Sequence, residues 1–143
     1  MWSSMKWLCS ALLLSAVDGG EGPHRVTLRV QGLTSSRGVV ECVLWSSPTG
    51  FPTQPVSGVV KVMARPLATH EATCVFDDVR PGLRAISFIH DENENGKMDQ
   101  GLFGMPLEGY GFSRDPKPFM RAPRFDEAAF AVEASLELNA TVR

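Results

Sequence analysis

The sequence predicts an all-β fold, a single β-sandwich of about seven strands of the immunoglobulin-like or transthyretin-like kind. Short runs of β-branched and apolar residues, separated by Gly and Pro, recur from Arg25 to the end of the chain. No segment downstream of the first twenty residues has the apolar period of an amphipathic helix. The length of 143 residues and the hydrophobic content of 43% are ordinary for one globular domain.

The N-terminal segment differs in character and predicts a signal peptide, residues 1–20, followed by one domain, residues 21–143. Lys6 precedes an apolar run from Trp7 to Val17, which Asp18 ends. This run is too short to cross a bilayer, which takes about 20 apolar residues, so we expect no transmembrane anchor. A buried N-terminal helix is the alternative. Export would place the protein in the periplasm or outside the cell.

The first two strands of the domain are predicted from residues 25–31 and 38–45. Arg25 to Gln31 alternates between apolar and polar residues, a period of two that predicts a half-buried strand. Gly38 to Trp45 is the next run, and its alternation places Cys42 on the apolar face. We therefore expect Cys42 to point into the core.

Two further strands come after a loop. Ser46 to Pro55 is rich in Ser, Thr, Gly and Pro and predicts an irregular connection. Gly58 to Ala64 predicts the third strand. Thr73 to Phe76 predicts the fourth, with Cys74 on the same face as Phe76.

The cysteines predict a disulfide. Removal of the leader would also remove Cys9 and leave Cys42 and Cys74 as an even pair in an oxidising compartment. Both are expected to face the core, which is compatible with a bridge between them. The alternative is two separate buried thiols, because cysteine packs as a small hydrophobic residue.

A central strand leads into the most informative loop. Leu83 to Ile89 is apolar on both faces, which predicts a strand that is covered on both sides. It continues through His90 into an acidic segment. That segment therefore lies at a strand end, where sandwich domains gather their functional loops.

The segment from Gly101 to Asp126 is rich in Gly and Pro and predicts a long excursion. It also carries aromatic residues at Phe103, Tyr110, Phe112, Phe119 and Phe125. We expect these rings to pack the excursion onto the sandwich, with an exposed aromatic platform as the alternative. The apolar residues from Phe130 to Val142 predict a terminal hairpin or a pair of strands.

The loop from Asp91 to Asp99 reads D-x-N-x-N-G-x-x-D, which is the spacing of a calcium-binding loop. Asp91, Asn93 and Asn95 place short oxygen-bearing side chains at alternate positions. Asp99 adds a fourth. Gly96 follows the third and permits a sharp turn. Because calcium requires several oxygen ligands at once, we predict calcium as a bound ion at this loop.

The match to a helix-flanked calcium loop is partial. Its twelfth position, which normally holds a bidentate Glu, is Leu102. The backbone carbonyl of Lys97 fills the seventh position, and Glu108 is the candidate for the remaining ligand. Because only Asp91 and Asp99 are charged, we expect a dissociation constant of about 10⁻⁴ to 10⁻³ M. The alternative is an ion-free loop that is held by side-chain to backbone hydrogen bonds.

Several other function classes are disfavoured. A formal net charge of −2 leaves no basic surplus for phosphates, so we expect no nucleic-acid partner. The dipeptide His70-Glu71 begins like a zinc protease motif, but Cys74 stands where a second histidine is required. We expect a noncatalytic protein. A metal-dependent enzyme that uses Asp91, Asp99 or Glu108 is the alternative.

A second binding function would use the aromatic segment, residues 103–125. In that hypothesis Tyr110, Phe112 and Phe119 form a contact surface for a carbohydrate or another small ligand. The exposure of the three rings decides between this surface and a packed satellite core.

The central motifs resemble a bacterial family. The segment from His90 to Asp99 is followed by the run G-M-P-L-E-G-Y-G-F-S, from Gly104 to Ser113. The matching stretches elsewhere are Gly50-Phe51-Pro52, Pro81-Gly82 and Pro123-Arg124-Phe125-Asp126-Glu127-Ala128. Together they resemble the family called domain of unknown function 2141. Arg84 departs from the family pattern, which commonly has tyrosine after the Pro-Gly turn.

The resemblance implies an exported protein of one domain without an assigned biochemical role. We expect its partner to be a protein or carbohydrate at the cell surface or in the periplasm. The Pro-Gly turn that leads into a strand is also similar to transthyretin-like sandwiches, which is an analogy at the level of fold.

Overall fold

The chain folds as a sandwich of two β-sheets, which confirms the predicted class. The computed structural model describes residues 22–143, and the predicted signal peptide, residues 1–20, lies outside the described residues. The described elements, in chain order, are β1 (His24–Gln31), β2 (Val39–Trp45), β3 (Val60–Ala64), β4 (Ala72–Val79), β5 (Gly82–Asp91), a 3-10 turn (Leu102–Gly104), β6 (Tyr110–Phe112), α1 (Phe125–Ala128), β7 (Phe130–Val132) and β8 (Leu136–Thr141).

One sheet has three strands in the order β4-β1-β8, and the other has five, with β3-β2-β5-β6 as its path. β1 pairs antiparallel with β4 and parallel with β8, where Val26 lies opposite Leu136. β2 is antiparallel to both β3 and β5. β6 and β7 pair with successive stretches of β5, at residues 87–89 and 82–84. β5 is thus the strand around which the larger sheet is organised.

The main core lies between the two sheets. Alternation along β1 turns three side chains inward, as the period-two pattern predicted, and each of them is fully buried. The largest fully buried side chains of this core are Val26, Leu28, Val30, Val40, Cys42, Cys74, Phe76, Ile86, Phe88 and Val132. Burial of this apolar surface is the principal driving force for the sandwich.

The predicted disulfide between Cys42 and Cys74 is present, with the two Cα atoms 6.5 Å apart. Cys42 lies on β2 of the five-stranded sheet and Cys74 on β4 of the three-stranded sheet. The bond therefore joins the two sheets across the core. The register explains it, since both side chains face inward.

A second apolar cluster covers the other face of the five-stranded sheet. Trp45 and Ala85 belong to this cluster, and the rings of Phe51, Phe112 and Phe125 pack in or against it. Trp45 also donates its indole N–H to Ser87 Oγ at 2.8 Å. β5 is therefore covered on both faces, which confirms the prediction of a central strand.

The structure differs from the sequence-based expectation in two elements. The excursion contains one strand beyond the seven that were predicted. This strand, β6, is only three residues long and is held by pairing with β5. A four-residue helix, α1, precedes β7. The last two strands, predicted as a hairpin or a pair of strands, are a pair of strands with separate partners, because β7 pairs with β5 whereas β8 pairs with β1.

Across residues 22–143, no helix has the length and apolar character needed to cross a membrane.

Candidate functional site

The Asp91–Asp99 loop begins at the end of β5 and rests on the segment that leads into β2. Asp91 is the last residue of β5 and pairs with Val39. Gly38 precedes Val39 and has a φ of +70°, and a Cβ there would collide with the carbonyl oxygen of Asp91 and the backbone of Glu92. Only glycine permits this approach of the two backbones.

Glu92 anchors the start of the loop to the connection between β1 and β2. Its carboxylate accepts hydrogen bonds from three side chains, which are Thr34 Oγ1 at 3.0 Å, Ser35 Oγ at 3.0 Å and Arg37 Nη2 at 3.1 Å. These hydrogen bonds lower the pKa of Glu92 below its ordinary value, and the bond from Thr34 has the largest effect. The sequence did not reveal this role, because the donors lie more than fifty positions upstream.

Asp91 places a carboxylate inside the loop, with only 3% of the residue exposed. Its two oxygens accept the backbone N–H groups of Gly96 at 2.7 Å and Asn95 at 3.2 Å. In the described part of the chain, no Lys, Arg or His forms an ion pair with Asp91, Asp99 or Glu108. The buried negative charge of Asp91 is therefore compensated by backbone dipoles alone.

Asp99 closes the loop by accepting both asparagine amides. Asn93 Nδ2 donates to one carboxylate oxygen at 2.6 Å and Asn95 Nδ2 to the other at 2.7 Å. The side-chain oxygen of Asn95 accepts the backbone N–H of Lys97 at 2.9 Å, and that of Asn93 accepts the backbone N–H of Asn95 at 3.2 Å. These are the hydrogen bonds that the ion-free alternative predicts.

Glu108 comes from the next segment and reaches the same loop. Only 9% of the residue is exposed, and Oε2 accepts the backbone N–H of Asp99 at 3.2 Å. Burial raises the pKa of Glu108, and the negative charges of Asp99 and Asp91 raise it further, against the lowering effect of the Asp99 hydrogen bond. The Glu108 carboxylate is therefore close enough to Asp99 and Asp91 to be repelled by both.

His90 supports the site from within the fold. It is fully buried, and Nε2 lies 2.7 Å from the carbonyl oxygen of Arg37, so this nitrogen must carry the donated proton. Nδ1 has no hydrogen-bond partner and lies 4.0 Å from Glu92 Oε1. The backbone N–H of His90 donates to Gly109 at 2.7 Å, which fixes the segment after Glu108 against β5.

The six residues predicted as calcium ligands lie together at one end of the sandwich. A shallow pocket of about 290 Å³ opens beside them, and its lining is Arg37, Glu92, Asn93, Asp99, Leu107 and Glu108. Within residues 22–143, no three side chains of the types His, Cys, Asp and Glu are grouped so as to hold a metal ion. A cation here would need the Asn oxygens and the Lys97 carbonyl as well as the carboxylates.

The three rings of the alternative ligand surface have different environments. Phe112 is 7% exposed and packs against Phe51 and Tyr110, with ring centroids 6.0 Å apart in each pair. Phe112 is therefore a core residue, which corrects its predicted place on a contact surface. Tyr110 is half-buried, whereas Phe119 is 87% exposed. Carbohydrate binding stays a prediction.

The fold and this site define a small β-sandwich protein that carries a polar, hydrogen-bonded loop at one end of the sandwich. The family described as uncharacterized proteins conserved in bacteria, DUF2141, matches residues 28–139, and the chain belongs to this family. The match includes the Asp91–Asp99 loop and Glu108. No curated protein matches the chain, and no solved structure does.

Proposed function

We propose that the protein is an exported, noncatalytic module that binds calcium through the Asp91–Asp99 loop, with Glu108 completing the ligand set. The observation that carries the proposal is the burial of Asp91 and Glu108 beside Asp99, without a paired cationic side chain in residues 22–143. Buried carboxylates are normally paired with a cation or coordinate a metal. A calcium ion would supply the missing positive charge.

The ligand chemistry also suits calcium. The oxygens available are the carboxylates of Asp91, Asp99 and Glu108, the Lys97 carbonyl and the two asparagine amides. Without an ion, both amides donate N–H groups to Asp99. Movement of the Asp99 carboxylate onto the ion would release these amides, and their oxygens could then turn towards it.

Export is supported by the disulfide between Cys42 and Cys74, since such bonds persist in oxidising compartments. Calcium is abundant outside the cytoplasm, where sites of extracellular modules bind with dissociation constants of about 10⁻⁴ to 10⁻³ M. The two halves of the proposal are therefore consistent with each other.

Calorimetry and thermal melts of the protein in millimolar calcium test the proposal. At 1 mM calcium, which is about 1 to 10 times the expected dissociation constant, binding to the folded state would add about 0.4 to 1.4 kcal/mol to the free energy of unfolding. Asp99→Asn should reduce this response. Glu94→Gln is the matched control, because Glu94 is in the same loop but is exposed and pairs with Arg65 at 3.3 Å. The proposal would be wrong if calcium produced no heat in calorimetry and no change in melting temperature.

A further inference from the structure

The segment between Gln100 and Glu108 forms an ordered hairpin that presents apolar side chains to solvent. Its backbone is fixed by the Gly101 N–H, which donates to the Met105 carbonyl at 2.7 Å, and by the Leu107 N–H, which donates to the Asp99 carbonyl at 2.8 Å. Gln100 also pairs with Pro106 as an antiparallel bridge. The exposure of this segment is therefore a property of a defined structure.

Four large apolar side chains at the tip of this hairpin are uncovered. Their exposed fractions are 83% for Leu102, 100% for Phe103, 65% for Met105 and 70% for Leu107. Phe103 has a φ of +61°, a conformation that a bulky residue rarely adopts. By contrast, Phe112 lies a few residues further along and is buried. Contiguous exposed apolar surface of this kind marks an interaction site.

The chemistry of the tip favours a lipid surface over a protein partner. Between Gln100 and Glu108 no side chain carries a charge or a hydrogen-bonding group, apart from the weak thioether acceptor of Met105. A standard protein interface uses about 800 Å² on each partner and a rim of hydrogen bonds. Four apolar side chains supply neither this area nor a rim of hydrogen bonds. The acyl region of a bilayer requires only buried apolar area, together with favourable charge at the headgroups.

The base of the hairpin carries negative charge. Asp99 and Glu108 flank the tip, and the N–H of Asp99 donates to Glu108 Oε2 at 3.2 Å. Ionised carboxylates at this position repel the anionic headgroups of a bilayer. A calcium ion held by the same carboxylates would reverse the local charge and could also contact lipid phosphates.

We propose that the hairpin tip, Leu102 to Leu107, inserts into an anionic lipid bilayer when calcium occupies the Asp91–Asp99 loop. This inference rests on the proposed calcium binding and names the partner of that site. The occupant is the lipid surface itself, so neither a lipid-specific pocket nor a second protein is required.

Flotation of the full-length protein with vesicles of phosphatidylcholine and phosphatidylglycerol tests the inference. The bound fraction should rise about tenfold when millimolar calcium replaces chelator. The variant Phe103→Ser with Met105→Ser should lose this rise, and because both side chains are exposed the fold should survive, as circular dichroism can check. The matched control is Leu83→Ser, whose side chain is 58% exposed at the start of β5. Asp91 is the last residue of β5, so Leu83 lies at the opposite end of that strand from the loop, and the control should float as the parent protein does.

Calorimetry with calcium alone separates the two proposals. Heat of calcium binding without calcium-dependent flotation would overturn the lipid inference and leave calcium binding intact, and the tip would then require an apolar pocket on a protein partner. Equal flotation of the Phe103/Met105 variant and the parent protein would also overturn the inference. Flotation that is the same in chelator and in calcium would refute its calcium step.

Discussion

The backbone N–H of Asp99 donates a hydrogen bond to Oε2 of Glu108 at 3.2 Å, across nine positions of the chain. This bond connects the end of the Asp91–Asp99 loop to the base of the hairpin between Gln100 and Glu108. It also holds the Glu108 carboxylate against the backbone of Asp99, at the foot of an apolar tip. The loop and the hairpin are therefore in direct contact.

Glu108→Gln should separate the electrostatic cost of the loop from its calcium response. Burial and the charges of Asp99 and Asp91 raise the pKa of Glu108, so its ionised form destabilises the folded state at neutral pH. The amide removes that charge and can still accept the Asp99 N–H. We expect an equal or higher melting temperature without calcium and a smaller rise with calcium. A variant that melts lower without calcium and responds fully to calcium would contradict this.

Glu127→Gln should alter the pH dependence of stability. Two hydrogen bonds from Arg121, at 2.7 and 2.8 Å, and one from the Arg124 N–H lower the pKa of Glu127 from 4.5 to about 2. The contribution to stability is therefore complete above about pH 4.5 and is lost as the pH falls towards about 2. Melting curves should show the variant less stable at pH 7 and equal to the parent protein near pH 2.

The control for that measurement is Asp126→Asn, which removes an exposed carboxylate from the same helix. Among residues 22–143, Asp126 pairs only with Arg124, at 3.2 Å, and exposed pairs of this kind contribute little. A difference between Glu127→Gln and the parent protein that stays constant from pH 7 to pH 2 would refute the linkage argument.

Gly38→Ala should disturb the loop through its backbone. A Cβ at this position collides with the Asp91 carbonyl oxygen, and the φ of +70° is itself unfavourable for alanine. Gly58→Ala is the matched control, since Gly58 has a φ of +92° but a Cβ there would meet no other atom within 4 Å. Left-handed strain should cost each variant roughly 1 to 3 kcal/mol in urea unfolding. Gly38→Ala should lose more than this and should weaken the calcium response, whereas equal losses would argue against the collision.

Reduction of the disulfide should destabilise the sandwich. Cys42 and Cys74 are 32 positions apart, and closing a loop of this size contributes about 3 to 4 kcal/mol in the chain-entropy model. We expect a lower urea midpoint in the presence of reductant. The double variant Cys42→Ala, Cys74→Ala should show no further effect of reductant. A midpoint of the parent protein that reductant does not move would contradict the prediction.

Much of the fold could be predicted because its main strands carry clear local patterns of apolar residues. The period-two pattern of β1 and the apolar faces of β5 specify which side chains turn inward, and these are local properties of the chain. β6 escaped prediction because it has only three residues, one of them Gly111, and owes its structure to hydrogen bonds with β5. α1 escaped for a similar reason, since four residues carry no detectable helical period.

Only part of the candidate site could be predicted from the sequence. The spacing from Asp91 to Asp99 identifies side chains that can share one turn, because the ligands of such a loop are close in sequence. The place of Glu108 beside Asp99 follows from the intervening hairpin. The role of Glu92 depends on donors from the connection between β1 and β2. These contacts exist only after the chain has brought distant segments together.

By itself, the sequence determined the class of fold, the inward faces of the main strands, with Cys42 and Cys74 among the inward residues, and the oxygen-rich loop. Tertiary structure alone decided which aromatic residues are covered. Phe112 is buried while Phe103 is fully exposed, although both are phenylalanines of the same glycine-rich excursion. The physical reason is that burial depends on the surface a segment packs against. The second apolar cluster, which includes Trp45 and Ala85, provides that surface for Phe112, and no part of residues 22–143 provides one for Phe103.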